Sequence, residues 1–475
     1  MALDETRIAS IVNEVLERLE SGGRGRGPGP DRAAPRGVHA DLDHAVDAAR
    51  AAFAAFDQTP LETRRRIIAA ARELLAANYR VLSELAVEET GLGRAEDKVQ
   101  KNRLVTERTT GTEDLEPVTW TGDHGLTLME RAPYGVIAAI TPVTNPSETL
   151  INNGISMIAG GNTVVFCPHP SARKVSILTL DLINRAAVRA GAPRPLLHTV
   201  EQPTIEVAKK LLNYRGIRLN VVTGGPGVVA EALAAGKKAI TAGPGNPPSV
   251  VDETAELEKA ARDLVAGASF DNNIICTDEK EVVAVALIAD RLKEACARAG
   301  AVVLAPYQVE KLRRLVLEQE HGPRAHAEIN RRYVGKDAGV ILRDAGIACD
   351  PAKRLALCEV DADHPFLWTE MMMPILPLTR VRTVDEAIEF ALAVEQGCHH
   401  TASMHSRNID KLSKMARLCD CSIFVKNGPN FAGLGFGGEG PASFTIASPT
   451  GEGMTTARSF TRMRRCTLVD HFRII

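Results

Sequence analysis

Two rhythms of apolar and polar residues run along this chain. Between residues 131 and 247, compact apolar runs alternate with stretches of helical period. "GVIAAIT", "NTVVFC", "PLLHTV", "IRLNVVT" and "KKAIT" read as strands. "SETLINNGISMIAGG", "SARKVSILTLDLINRAAVRAG", "PTIEVAKKLLN" and "PGVVAEALAAG" read as the helices between them. Apolar strands alternating with helices predict a parallel sheet covered on both faces. Ligands of such sheets bind beyond the carboxyl ends of the strands. Those ends carry "TPVTNP" (141–146), "CPHPSA" (167–172), "TGGPG" (223–227) and "TAGPGNPP" (241–248). Their small and proline residues let backbone approach a phosphate or a ribose. Upstream, residues 40–113 read as mostly helical, and 116–130 as a β-ribbon around Asp123 and Gly125. A second α/β unit starts at 249, with a helix at 253–266, a strand at 281–288, a further element at 370–381 and a helix at 384–396. The tail, 456–475, is basic and then apolar. It is expected to return as a strand against the 116–130 ribbon of a neighbouring subunit.

At the start of the chain, Ile8, Ile11, Val12, Val15, Leu16 and Leu19 make one apolar stripe on a helix over 4–20. Glycine, proline and arginine then dominate 21–37, which reads as a flexible linker. The stripe suits a subunit-packing arm or a peptide that docks in a partner's groove. The linker favours the second, because a helix packed on its own domain needs none.

At 475 residues the chain is too long for one hydrophobic core and predicts two or three domains. A net charge of -2 points away from nucleic acid or a membrane surface as a partner. No apolar run reaches the roughly 18 residues of a membrane span. The nine cysteines are odd in number and scattered, and "MALDETRIAS" has no signal-peptide core. They are expected to be reduced thiols in a cytoplasmic protein.

Two motifs carry less than they promise. "GLGFGG", Gly433 to Gly438, has dinucleotide-fingerprint spacing, but Pro441 follows and no helix opens. Cys419 and Cys421 with His399, His400 and His405 lack a second pair at ligand spacing, so no metal site is expected. Among the cysteines Cys276 stands apart, at a helix-to-strand junction after Asn272 and Asn273. A junction loop can expose a thiol and offer its own N–H to an oxyanion. Local context leaves two readings open, a reactive thiol or a buried small hydrophobe.

"SFDNNIICTDEKEVV" resembles the nucleophile segment of CoA-acylating aldehyde dehydrogenases. "GTEDL" at 111–115, "TPVTNPSET", "FCPHPSA", "TAGPGNPP", "HTASMHS" at 400–406 and "SFTIASPTGEG" at 443–453 resemble that family too, in the same order. The match is best to the propionaldehyde/acetaldehyde dehydrogenase group of bacterial microcompartments. It implies an aldehyde dehydrogenase-like α/β fold of two Rossmann-like domains with a β oligomerisation ribbon. The parts are a targeting helix (1–20), a linker (21–37), a cofactor-binding domain (38–115 and 131–247), a ribbon (116–130 and 456–475) and a catalytic domain (248–455).

The resemblance makes Cys276 the nucleophile and Asn145 an oxyanion donor, where its bland role is a turn residue before Pro146. Thr141 and Pro142 fall where relatives line the nicotinamide of NAD, and His169 lies near the adenine ribose. Thr223, Gly224 and Gly225 match the turn near the pyrophosphate. Glu370 matches the glutamate on the nicotinamide ribose, with a surface salt bridge as the alternative. His400 belongs to a family motif and receives no role. Hydrolytic relatives carry a glutamate where this chain reads Ala242 and Gly243. Without that base, water is a poor nucleophile, and a coenzyme A thiol ionises more readily. The expected reaction turns a short-chain aldehyde (acetaldehyde or propionaldehyde), NAD and CoA into acyl-CoA and NADH. The competing readings are a CoA-independent aldehyde dehydrogenase and an inactive scaffold that recruits partners. A homo-oligomer, dimer or tetramer, is implied, as is a place in a microcompartment lumen through shell proteins that take residues 4–20.

Overall fold

The computed structural model describes residues 36–475. The helix expected at 4–20 and nearly all of the linker lie outside them.

Two parallel sheets organise the chain. The first has six strands in the order Val38–His39, Leu197–Val200, Thr163–Pro168, Val136–Thr141, Leu219–Thr223, Lys238–Ala242. Every pairing in it is parallel. Side chains alternate across a strand. Val136, Ala138 and Ile140 therefore pack on one face and Ile137 and Ala139 on the other, each against its own helical layer. Burial on both faces explains why these strands read as continuous apolar runs. The helical stretch resolves into Leu42–Phe56, Leu61–Ala76, Tyr79–Thr90 and Ala95–Arg108.

The second sheet has seven strands in the order Ala301–Leu304, Leu355–Glu359, Ile375–Val381, Glu281–Val285, Pro248–Val251, Thr401–His405, Ile423–Lys426. It too is parallel throughout. Two boundaries differ from the sequence reading. The helix expected at 253–266 is Leu257–Ser269. Asp252 Oδ1 accepts from the Thr254 N–H at 2.9 Å and the Thr254 hydroxyl at 2.7 Å, and this turn delays it. The strand expected at 281–288 ends at Val285, and helix Ala286–Arg298 starts at once. The apolar run is continuous across that junction, so only the later spacing of Ile288, Ala289 and Leu292 marks the change of period.

The tail corrects a third expectation. Thr461–Val469 pairs antiparallel with Gly125–Pro133 of its own chain, not with a neighbour. Thr461 lies opposite Pro133 and Val469 opposite Gly125. With Val118–Gly122 they form a three-stranded sheet. Pairing within the chain needs no second subunit, and Thr127 and Thr467 add a hydroxyl contact of 3.0 Å across it.

Candidate functional site

The carboxyl edge of the first sheet gathers most of the expected cofactor residues. Thr141, His169 and Thr223 lie at or just past the ends of three adjacent strands, and the His169 N–H donates to the Thr141 carbonyl at 3.1 Å. Pro142 continues the first of these ends. Gly225 caps helix Pro226–Ala234, whose first amides have no helical acceptor and so favour an anion. A Cβ on Gly225 or Gly227 meets open space, so this turn is accessible from outside. Thr141 Oγ1 is buried and has no partner in the protein. An open turn at a helix start and an unpaired buried hydroxyl beside it fit a dinucleotide. His169 is less available than expected, since its Nδ1 accepts from the Ser171 N–H at 3.2 Å and stabilises its own turn.

Cys276 sits on a loop built against ordinary backbone preference. Asp271, Asn272 and Asn273 adopt φ of 46°, 57° and 64°. Left-handed backbone costs most residues about 1 kcal/mol each, and Asp and Asn least. The cost is offset by dense hydrogen bonding. The Asn273 side chain donates to the carbonyls of Ala268 and Glu279, each at 2.9 Å. Lys280 Nζ donates to Asn273 O (2.8 Å), Asn273 Oδ1 (2.7 Å) and Ile275 O (3.1 Å). Asn272 Nδ2 reaches Gly335 O at 2.9 Å and Asp337 Oδ1 at 3.0 Å. "TDEKE", which reads as a charged turn, is buried in its entirety.

Within this loop the Cys276 thiol is half-buried. Burial pushes its pKa up to about 12, and the Glu370 carboxylate adds to the rise. Lys280 and the backbone N–H of Cys276 itself oppose it. Glu370 is half-buried; burial raises its pKa as well, and the nearby Gly245 backbone opposes the rise. No salt bridge to it is formed among the described residues, so the surface-pair alternative does not hold.

Gly245 joins the remaining parts. A Cβ there falls 2.8 Å from the Cys276 carbonyl oxygen and 2.9 Å from His400 Cγ. Only glycine lets those two approach so closely. The His400 ring is buried, with Nδ1 2.9 Å from Thr401 Oγ1 and Nε2 unpartnered. Burial lowers its pKa to about 4, so it is a neutral imidazole. Ala242 is buried, and a Cβ on Gly243 meets Pro449 at 3.3 Å. The place of the missing glutamate thus holds no acid and is tightly packed.

Asn145 precedes helix Pro146–Ala159 and is buried. Its Oδ1 accepts from Lys101 Nζ at 2.6 Å, and its Nδ2 donates to Thr144 Oγ1 at 3.2 Å. Lys101 also pairs with Asp271, so Asn145 and the Cys276 loop share one buried cation. Sequence reasoning missed Lys98, Lys101, Asp271 and Lys280. In "AEDKVQKNRLVTER" the two lysines have the composition of a solvated helix face. The available signal was Asp271-Asn272-Asn273, a run of residue types that tolerate left-handed backbone. At "GLGFGG" the chain turns without opening a helix, as expected.

Two parallel sheets, a cysteine on a densely hydrogen-bonded junction loop and an amide tied to that loop through Lys101 fit an aldehyde dehydrogenase. Residues 32–456 match the aldehyde dehydrogenase family model, and the chain belongs to that family. Within it, the chain is 52% identical over 440 residues to the acetylating acetaldehyde dehydrogenase EutE of Salmonella typhimurium, covering 92% of this chain and 94% of that one. Propionaldehyde dehydrogenase of Rhodopseudomonas palustris, solved with bound CoA and an acylated cysteine, superposes with a TM-score of 0.89 at 48% identity over 91% of this chain and 98% of that one. Propionaldehyde dehydrogenase from the Clostridium phytofermentans fucose utilisation bacterial microcompartment gives 0.90 at 44% identity over 93% and 100%.

Proposed function

We infer that this chain is a CoA-acylating aldehyde dehydrogenase that converts a short-chain aldehyde, with NAD and CoA, to acyl-CoA. The observation that carries the reading is Cys276 on a densely bonded loop tied through Asp271 and Lys101 to the Asn145 amide, with no carboxylate at Ala242-Gly243 to activate water. The Cys276 thiol loses its proton to solvent and the thiolate attacks the aldehyde carbonyl. The developing oxyanion takes hydrogen bonds from Asn145 Nδ2 and the Cys276 N–H, which stabilise it more than they do the planar carbonyl. Thr141, Pro142, His169, Thr223 to Gly225 and Glu370 would hold NAD, which would supply the hydride acceptor. Cys276 is then an acyl thioester. A CoA thiol adds to that carbonyl and Cys276 departs as the thiolate. His400 Nε2, buried and unpartnered, is our candidate to take the CoA proton. The same reading predicts ping-pong kinetics.

The test is NADH release with and without CoA. Without it, one equivalent per active site appears and turnover stalls; CoA restores turnover and acyl-CoA accumulates. Steady NADH formation with free acid in the absence of CoA overturns the reading. Cys276→Ala should lose acyl-CoA formation and the burst while still binding NAD.

No helix among the described residues is long and apolar enough to cross a membrane. The microcompartment origin of the Clostridium relative and the apolar stripe at 4–20 support residence in a microcompartment lumen, through shell proteins that bind that stripe. Removing residues 1–20 is expected to keep turnover and lose co-purification with shells. Shells that still carry the truncated enzyme exclude this route.

A further inference from the structure

Behind Asn145 lies a cluster of charges with almost no access to water. Lys98, Lys101, Glu148 and Asp271 are fully buried, and Asp97 nearly so. Lys98 and Lys101 project from one face of helix Ala95–Arg108, one turn apart. Lys101 Nζ donates to Asn145 Oδ1 at 2.6 Å, pairs with Asp271 Oδ2 and lies 3.2 Å from Glu148 Oε1. Lys98 Nζ donates to the Thr144 carbonyl and to Asp271 Oδ2, each at 3.0 Å. Asp271 Oδ1 accepts from the Arg94 N–H at 2.7 Å, and the Asp271 N–H donates to Asp97 Oδ2 at 3.0 Å. Arg354 closes the cluster on Asp97.

The signs balance. Lys98, Lys101 and Arg354 face Asp97, Glu148 and Asp271. A structural cluster needs balance and nothing more, but this one ends on a neutral group with two possible orientations. An amide can turn over and exchange its oxygen and nitrogen. Here the turned form sets an NH2 group against an ammonium that has carboxylates for its other neighbours. The observed form gives that ammonium an oxygen, spends one Nδ2 proton on Thr144 and leaves the other free. A cation on the amide oxygen also draws electron density from the nitrogen and strengthens it as a donor.

We propose that Lys101 is a positioning residue for the oxyanion donor. Its ammonium fixes the Asn145 amide with Nδ2 free for the substrate oxygen. Through Asp271 it ties that orientation to the loop that carries Cys276. The proposal rests on the roles given above to Asn145 and Cys276.

Removing Lys101 alone leaves a buried carboxylate uncompensated. The informative enzyme is therefore Lys101→Met with Glu148→Gln, which removes one charge of each sign. It is measured in the wild-type background and with Asn145→Ala. The loss of one oxyanion donor slows turnover by about 10²-fold. The paired variant is expected to lower kcat by about that factor, with little change in the aldehyde KM and with NAD affinity unchanged. Added to Asn145→Ala, it should lower kcat less than about 3-fold further, because the amide it orients is gone. An equal factor in both backgrounds means a structural role and overturns the proposal. So does a paired variant at wild-type rate beside an Asn145→Ala enzyme that is slow. Wild-type kcat in Asn145→Ala overturns the underlying reading, and the proposal with it. If the paired variant does not fold, Lys101→Gln with Glu148→Gln keeps polar groups at both positions and is compared in the same way.

Discussion

Cys276 must be both sheltered and reactive, and these demands conflict. The burial that keeps water from a thioester also disfavours the thiolate, holding the pKa near 12. The sign is that of any buried acid: the neutral form dominates at pH 7, and reactivity rises as the proton leaves. Alkylation of Cys276 in the enzyme alone should therefore gain about tenfold per pH unit and continue past pH 9. An ordinary thiol, near 8.5, levels off there. A plateau near neutrality means that the resting site already ionises the cysteine. Sequence picked out this residue because, of the nine cysteines, it alone reads as lying at a helix-to-strand junction. It gave no warning of Glu370 and Lys280 acting on it from opposite directions, because that pairing depends on how two distant segments meet.

At the scale of elements, the loop from Asp271 to Lys280 is where local preference is overruled. Asn273 makes three side-chain hydrogen bonds and holds φ at 64°. Asn273→Ala loses those bonds and keeps the backbone cost, a destabilisation of about 3 kcal/mol. Asn273→Gly should recover about 1 kcal/mol of it by relieving the backbone alone. Denaturant melts of the two variants check both figures, and values within 0.5 kcal/mol of wild type contradict this account of the loop. Regular elements were legible before the structure because strands with two buried faces spell out their burial. The charged segments were not. "TDEKE" and the lysines of "AEDKVQKNRLVTER" have the composition of a surface, and only tertiary contacts make their burial possible. The end of strand Glu281–Val285 was hidden for the opposite reason, since apolar residues continue through it.

At the scale of the molecule, the three-stranded sheet presents apolar side chains to solvent. Trp120 is 51% exposed and Val469 59%, and the register puts them and Val118 on one face of the sheet. A patch of this kind on an antiparallel sheet marks an interaction surface. It suits the homo-oligomer implied by the family resemblance. Trp120→Glu is expected to lower the assembly mass in light scattering while the protomer stays folded; an unchanged mass assigns the contact elsewhere. Sequence found both halves of this sheet, yet the pairing partner of the tail was misjudged. Strand character is local, whereas the choice between own chain and neighbour depends on where the preceding domain delivers the tail.

That delivery has a consequence in time. Thr461–Val469 is translated after both parallel sheets, yet it covers an edge of Gly125–Pro133, made more than three hundred residues earlier. Until it arrives, a nascent chain carries an unpaired strand edge, the form most open to wrong partners. Chains cut before Thr461 would keep that edge open, whereas here Thr461–Val469 covers it and becomes the outer strand of the sheet.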